Sequence, residues 1–229
     1  MESAVARICP EARVTSLMSD APRHDARRGA YLLAALAKWV PQGGIIVAVV
    51  DPGVGSNRKM LVLRSRHRWF LGPDNGLLSR ICGEDEHSEL WELHPQDHWP
   101  VSASFHGRDV FAPAAAQLAC GRSPRLSGLK KEEMVGFEWP AMALEVIYID
   151  AFGNAMTGIP ADLVSNAQAM EVQGNKLPRV RTFSDVPLGG LLSYENSLGL
   201  LEISINGGSA ASALGLEVGS PVVLSPRPG

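Results

Sequence analysis

Six apolar residues in a row, Ile45-Ile46-Val47-Ala48-Val49-Val50, run directly into Asp51-Pro52-Gly53-Val54-Gly55. No other stretch restricts the fold as much. Five of the six are β-branched, which predicts a strand buried on both faces in a parallel or mixed sheet. Pro52 fixes φ and lacks an N–H, so the strand stops there. Gly53 and Gly55 let a ligand come close to the main chain. Asp51 thus stands at the carboxyl end of a buried strand, the edge at which open α/β sheets bind ligands. Arg58 follows closely enough for the loop to fold it back toward Asp51. The same residues also read as a tight turn with a capping Asp and a solvated Arg. Two familiar loops are excluded. A phosphate loop ends in Gly-Lys-Ser/Thr, and this one ends in Asn57-Arg58-Lys59. The dinucleotide fingerprint needs a third glycine where Arg58 stands.

The segments around this strand alternate in character. Met1 to Ile8 reads as a helix stopped by Pro10, and Arg13 to Met18 as a short strand. Asp25 is an N-cap candidate for a helix over Ala26 to Trp39, with Ala30, Leu33, Ala34 and Ala37 at helical spacing. Met60 to Arg64 and Arg68 to Leu71 read as strands, Gly72-Pro73-Asp74-Asn75-Gly76 as a turn, and Leu77 to Ile81 as the start of a helix. Residues 83–103 read as irregular, with Trp91 and Trp99 covering core. Val110 to Cys120 reads as an Ala-rich helix with Pro113 in its first turn. After Gly121 the pattern changes. Residues 123–140 read as a connector. Beyond it lie short β-rich runs: Leu144 to Asp150, Ala167 to Val172, Leu200 to Ile205 and Pro221 to Leu224. The expected architecture is an α/β N-terminal domain, a sheet flanked by helices, over residues 1–125. A linker spans 126–140, and a small antiparallel β-barrel domain covers 141–229.

Composition narrows the function classes. The chain has 229 residues, 45% hydrophobic and 20% charged, with a net charge of −3. That balance supports a real core and argues against nucleic acid or an anionic membrane as partner. The first twenty residues lack a secretory apolar core, and no stretch is long enough to span a bilayer. Cys9, Cys82 and Cys120 are widely spaced and form neither a metal-ligand pattern nor a redox pair. They read as reduced thiols of a cytoplasmic protein.

His106 is the histidine to single out, because it lies between Phe105 and Gly107 just before a helix. It reads either as a functional group or as a ring hydrogen-bonded beside a helix start. The other five, His24, His67, His87, His94 and His98, read as surface residues. No His-x-x-x-His pair reads as lying on a helix, and no two histidines are joined by a carboxylate at metal-ligand spacing, so no metal site is expected. Gly-x-Ser-x-Gly is absent too. In the second half, Tyr148-Ile149-Asp150-Ala151-Phe152-Gly153-Asn154 again ends a strand in a carboxylate and a glycine turn. Asn154 offers amide donors and an acceptor. Tyr194-Glu195-Asn196-Ser197, Glu202 and Asn206-Gly207-Gly208-Ser209-Ala210-Ala211 follow. The last of these reads as a glycine hairpin loop or as a binding segment.

Taken in order, five of these motifs resemble one family. They are Val49 to Gly55 with Arg58, Gly72 to Gly76, Phe105-His106-Gly107-Arg108-Asp109, Ile149 to Asn154, and Asn206 to Ala211. The chain resembles, over essentially its whole length, the S-adenosyl-methionine hydroxide adenosyltransferases, relatives of the fluorinating and chlorinating enzymes. The resemblance implies that water attacks the 5′ carbon of the adenosyl group and L-methionine leaves. Asp51, Arg58 and His106 match the family's hydroxide-delivering residues. It implies a homotrimer with sites between the first domain of one subunit and the second domain of the next. Substrate contacts are expected from Asn75, Phe105 and Gly107 on one side. Asp150, Phe152, Asn154, Ser197, Glu202, Ile205 and Asn206 are expected on the other, with Phe152 or His24 available for stacking. No cofactor is expected beyond S-adenosyl-methionine as substrate, and adenosine is the other expected ligand.

The family also carries an earlier strand and a loop whose aspartate holds the ribose hydroxyls. By that pattern about twenty residues are expected to be missing ahead of Met1. This keeps two alternatives open: a binding protein that holds S-adenosyl-methionine or adenosine without turnover, and a scaffold. A halide-using enzyme is a third, which the charge of Asp51 disfavours.

Overall fold

The computed structural model describes residues 1–95, 100–165 and 168–226. His98, Trp99 and Ala167, which enter the expectations above, lie outside the described residues. The chain divides into two compact units, Met1–Trp139 and Pro140–Gly229. It is a two-unit sheet-and-helix fold with several antiparallel pairings.

The first unit contains α1 (Glu2–Ala6), α2 (Ala26–Ala37), β1 (Ile45–Val47), β2 (Met60–Ser65), β3 (Arg68–Pro73), α3 (Ser79–Gly83) and β4 (Glu89–Leu93). A π-helical turn (Gly107–Phe111), α4 (Ala112–Ala119) and β5 (Leu126–Leu129) complete it. The strands form one mixed sheet in the order β1-β3-β2-β4-β5. β1 runs parallel to β3, and the other pairs are antiparallel. Alternation along β2 decides which layer each side chain joins. Leu61 and Leu63 face Leu33, Ala34 and Ala37 of α2 and Ile81 of α3. Val62 faces the opposite layer, with Val110, Phe111 and Ala114. Helices therefore cover both faces of the sheet. α1 packs outside α4, through Ala4 and Val5 against Ala112 and Ala116.

Asp25 caps α2 as expected, its side chain accepting from Arg28 N at 2.9 Å. The apolar run at 45–50 corrects the reading of a strand buried on both faces. β1 is the end strand of its sheet, Ile46 is buried, and Val49 is 41% exposed. Ala48 still donates to Leu71 O at 2.9 Å, after which the chain leaves the ladder. Arg13 to Met18 forms no strand, because nothing among the described residues pairs with it and its residues are mostly exposed. The irregular reading of 83–103 and the connector reading of 123–140 are also corrected. β4 and β5 lie there and extend the sheet beyond β2. Finally, Cys9 and Cys120 are not a pair of separate thiols. They are joined in a disulfide with their Cα atoms 6.0 Å apart, while Cys82 is free and buried.

The second unit contains β6 (Ala143–Ile149), β7 (Ala155–Pro160), β8 (Gln168–Val172), β9 (Asn175–Leu177), β10 (Leu191–Glu195), β11 (Leu200–Ile205), α5 (Ala210–Leu214) and β12 (Val223–Pro226). Two antiparallel sheets result, β10-β11-β7-β6 and β12-β8-β9. Their edges are stitched by isolated bridges: Glu145 with Pro221 ahead of β12, and Arg179 beyond β9 with Ser193 of β10. The core between them holds Val146, Ile159, Met170, Leu201 and Ile203. The glycine-hairpin reading of 206–211 is corrected in part. Ser209 caps α5, its side chain accepting from Ser212 N at 3.1 Å.

Leu63 lies fully buried at the centre of the first sheet. Leu63→Ala should therefore cost about 2–5 kcal/mol, read as a lowered urea midpoint with the far-ultraviolet spectrum of the folded state unchanged.

Candidate active site

Asp51 and Arg58 meet because the loop between them is a series of tight turns. Val54 N donates to Asp51 O at 3.3 Å and Ser56 N to Gly53 O at 3.1 Å. Gly55 has φ +84°, and a Cβ there would lie 2.9 Å from Ala103 O. Only glycine allows this approach, which sets the Asp51 loop against the segment leading to His106. Arg58 Nε donates to Asp51 Oδ1 at 2.7 Å, and Arg58 Nη2 donates to Asp51 Oδ2. Nη2 also contacts His106 Nδ1 at 3.1 Å, and Nη1 donates to Lys59 O at 3.2 Å. The guanidinium carbon stands 6.0 Å from the centre of the buried Phe111 ring. The side chains of Arg58 and Asp51 are 7% and 4% exposed. One fork-shaped cation thus holds a carboxylate on one edge and an imidazole on the other.

Arginine can only donate, so Nδ1 of His106 is the acceptor, and in the neutral ring the proton sits on Nε2. Burial lowers the pKa of His106, and the positive Arg58 lowers it further, against the opposite pull of Asp51 and Asp109. The ring is therefore neutral at pH 7. Asp109 positions the loop that carries it. Its Oδ2 accepts from Ser102 N at 2.9 Å, and Arg108 Nε donates to its Oδ1 at 2.6 Å. The Arg108 hydrogen bond brings Asp109 down to about 2. Asp109 was visible in the sequence only as part of a motif. Its role depends on Ser102, seven residues earlier.

The other expected residues fall into three groups. Some are engaged internally. Asn75 Nδ2 donates to Val50 O at 2.8 Å and its Oδ1 accepts from Leu77 N at 3.2 Å, so it clamps the segment between β1 and Asp51. Asp150 Oδ1 accepts from Phe152 N and Asn154 N, and its Oδ2 from Asn154 Nδ2, each at 2.9 Å. Glu202 is buried, accepting from Tyr194 Oη and from Asn196 Nδ2. Burial raises the pKa of Glu202, as the hydrogen bonds from Asn196 and Tyr194 work against it. Asn206 Nδ2 donates to Val186 O at 2.9 Å. A second group is open: Phe105, Phe152 and Ser197 are exposed, as is His24. Gly107 and Ile205 are half-buried, and a Cβ on Gly107 would lie 3.4 Å from both Val49 Cγ2 and Met1 Sδ. Space beside Gly107 is thus already taken by side chains of its own unit. Within each unit the contacts are definite: Asp51, Arg58 and His106 in the first, and Asp150 with Asn154 in the second. At the latter turn Gly153 has φ +82° and lies so close to Ser209 that a Cβ would overlap its Oγ.

Comparison with known proteins bears on this arrangement. Residues 1–128 match the family model for the SAM hydroxide adenosyltransferase N-terminal domain, and residues 144–223 match that for the C-terminal domain. The chain belongs to the SAM hydroxide adenosyltransferase family. A family relative from Thermus thermophilus, named (R)-S-adenosyl-L-methionine hydrolase, is 38% identical over 98% of this chain and 92% of its own. One of the same name from Salinispora arenicola is 39% identical over 94% of this chain and 87% of its own. A crystal structure of an uncharacterized conserved protein from Thermotoga maritima superposes with a TM-score of 0.81. It is 29% identical and covers 98% of this chain and 93% of that one.

The lowered His106 value gives a direct check. In an NMR pH titration the ring assigned by loss of its signal in His106→Gln should have its midpoint below the ordinary 6.5. Arg58→Ala should move that midpoint upward, because it removes a neighbouring positive charge and leaves Asp51 unneutralised. A midpoint at or above 6.5 in the unmodified protein would contradict the hydrogen bond from Arg58.

Proposed function

We propose that this chain hydrolyses S-adenosyl-L-methionine to adenosine and L-methionine. The observation that carries the reading is the Asp51–Arg58–His106 cluster, in which one buried guanidinium serves both a carboxylate and a neutral imidazole. The names of the two relatives support the substrate, and they specify the (R) sulfonium epimer. We carry that preference to this chain.

In the proposed reaction the water oxygen bonds to C5′ as the C5′–S bond breaks. The bond's electron pair stays on sulfur, and methionine departs as a neutral thioether. No acid is needed at the leaving group. The demand is at the nucleophile, which must lose a proton. His106 offers Nε2–H to hold the oxygen, and Asp51 is the group able to accept the proton. Arg58 favours the developing hydroxide and fixes both partners. Alignment of the oxygen with the C5′–S bond supplies much of the remaining rate.

The finer assignments belong to this proposal. Asn75, Phe105 and Gly107 border the reacting end. The turn built by Asp150 and Asn154 takes the methionine or adenine polar groups, together with Ser197 and Asn206. Phe152 stacks on the purine, Ile205 lines the site, and Glu202 shapes it by anchoring Asn196. The second unit is read as a small barrel, supported by the bridges at both sheet edges. A homotrimer with shared sites is supported by exposed apolar side chains in both units, Val49 and Phe105 in one, Phe152 and Leu188 in the other. Water is the nucleophile, without a resident cofactor, and the protein works in the cytoplasm with neither nucleic acid nor membrane as partner.

Incubation with the separated epimers in ¹⁸O-water should yield adenosine and methionine one for one, faster from the (R) form, with the label in the 5′ hydroxyl. Asp51→Asn, Arg58→Ala and His106→Ala should each lower kcat/KM by about 100-fold or more. Full activity in Asp51→Asn would sink the assignment. Absence of turnover in the unmodified chain would leave a binding protein.

The choice of water over halide is a separate expectation. An ionised carboxylate about 4 Å from chloride repels it by roughly 4 kcal/mol at an effective dielectric of 20. Arg58 offsets part of this, but its fork is already committed to Asp51. Adenosine should therefore remain the product in molar chloride, and 5′-chloro-5′-deoxyadenosine as the main product would overturn this.

A further inference from the structure

Cys9 and Cys120 lie in a part of the first unit that the proposed reaction does not use. Cys9 sits in the turn that follows α1. Its N–H donates to Val5 O at 2.9 Å, and Ala12 N donates to Cys9 O at 3.1 Å. This turn brings Glu11 round to the same side as Cys9. Cys120 ends α4, with its N–H on Ala116 O at 3.1 Å. Glu11 Oε1 lies 3.7 Å from the Sγ of Cys9 and 3.7 Å from the Sγ of Cys120. The two sulfurs and the carboxylate oxygen all fall within 4.8 Å of one another. Cys9 is buried, Cys120 half-buried and Glu11 exposed. The cluster is thus closed on the protein side and open to solvent on the other.

A disulfide gives a carboxylate nothing to bind, since its sulfurs carry neither proton nor positive charge. An anionic oxygen equidistant from both sulfurs suits either two thiols, which can donate to it, or a cation shared by all three. The geometry favours the cation. Tetrahedral zinc, with bonds of about 2.3 Å to sulfur and about 2.0 Å to oxygen, sets its sulfur and oxygen ligands about 3.5 Å apart. Both sulfur–oxygen distances are already near that edge. Only the sulfurs have to separate. Thiolates select zinc over the hard cations that carboxylates alone would bind.

We propose that Cys9, Glu11 and Cys120 of the reduced protein form a binding site for a thiophilic divalent cation, Zn²⁺ by the chemistry of its donors. The disulfide is the oxidised, metal-free form of the same site. Reduction by a thiol proceeds through a mixed disulfide to two protein thiols, with the reductant leaving as its own disulfide. Zn²⁺ then displaces both thiol protons and forms two Zn–S bonds. Glu11 supplies the third ligand and water the fourth. A reducing compartment would hold the pair in this metal-competent state.

The test uses the full chain, reduced with a phosphine, desalted under argon and titrated with Co²⁺, whose thiolate charge-transfer band reports sulfur ligation. One equivalent should bind and be displaced by Zn²⁺. Cys120→Ser should abolish the band, and protein oxidised with diamide should not develop it. Glu11→Gln alters an exposed side chain and leaves the fold intact; it should weaken binding by about tenfold or more. A reduced wild type without the band, or equal affinity in Glu11→Gln, overturns the three-ligand site. So does equal binding by the oxidised protein.

Discussion

Arg58 and Asp51 carry opposite charges into a place where water hardly reaches them. Two ions taken out of water cost several kcal/mol each unless the pairing is good and the remaining donors are used. Here the pairing is two-pronged, and the guanidinium also reaches Lys59 O and His106 Nδ1. The guanidinium carbon stands over the ring of Phe111, which is itself fully buried beneath the sheet. The pair is therefore attached to the core of the first unit as well as to its own loop. Removing either charge leaves the other buried without compensation, so the geometry of the loop and its chemistry depend on the same contact.

The loops around this pair are held by one recurring device. A side-chain amide or carboxylate at the end of a strand or turn satisfies backbone groups that the ladder has left open. Asn75 takes Val50 O in the segment that leads from β1 to Asp51. Asp109 takes Ser102 N and so fixes the segment before His106. Asp150 takes two backbone N–H groups and the Asn154 amide in the second unit. These residues are built into the frame, and their polar atoms are largely committed before any ligand arrives. That is the preorganisation a displacement reaction needs, since reacting atoms must be held in line without further rearrangement.

How much of this was legible in the sequence varied with the range of the contact. Asp51 and Arg58 are close in the chain, and the intervening Pro and Gly residues announce a turn, so their meeting could be read directly. His106 joined them only through the family resemblance, because nothing local ties residue 106 to residue 58. β4 was missed because Leu90 and Leu93 are its buried residues, three apart, and break the alternation expected of a strand. β5 was missed because Leu126-Ser127-Gly128-Leu129 has no strand signal of its own; it exists because β4 offers a free edge. Arg13 to Met18 shows the converse, a strand-like stretch that no described strand pairs with. The Cys9–Cys120 bond joins positions 111 apart in sequence, beyond the reach of spacing rules. In the second unit the identities of Asp150 and Glu202 were legible, but the directions in which their carboxylates point were not.

The sequence left the water-activating base open between a carboxylate and an imidazole, and the hydrogen bonds narrow that choice. Acceptance of a proton by His106 would have to occur at Nδ1, which holds Arg58, or would need the ring to change tautomer first. Either way the product would be an imidazolium beside a guanidinium. Burial and the Arg58 charge both resist that, since both lower the His106 pKa. Protonation of Asp51 instead places no second cation beside the guanidinium, which keeps its hydrogen bond to Lys59 O. The reacting system starts with a sulfonium cation and ends with a neutral thioether and a proton. The positive charge is not lost; it moves from sulfur to the oxygen being activated. A cluster of one carboxylate, one guanidinium and one neutral imidazole is uncharged overall before that transfer. It does not repel the incoming sulfonium, and it keeps one negative group to receive the proton. A protonated His106 would make the cluster cationic and repel the sulfonium, so the proposed chemistry requires the neutral ring, which burial and the Arg58 charge together favour.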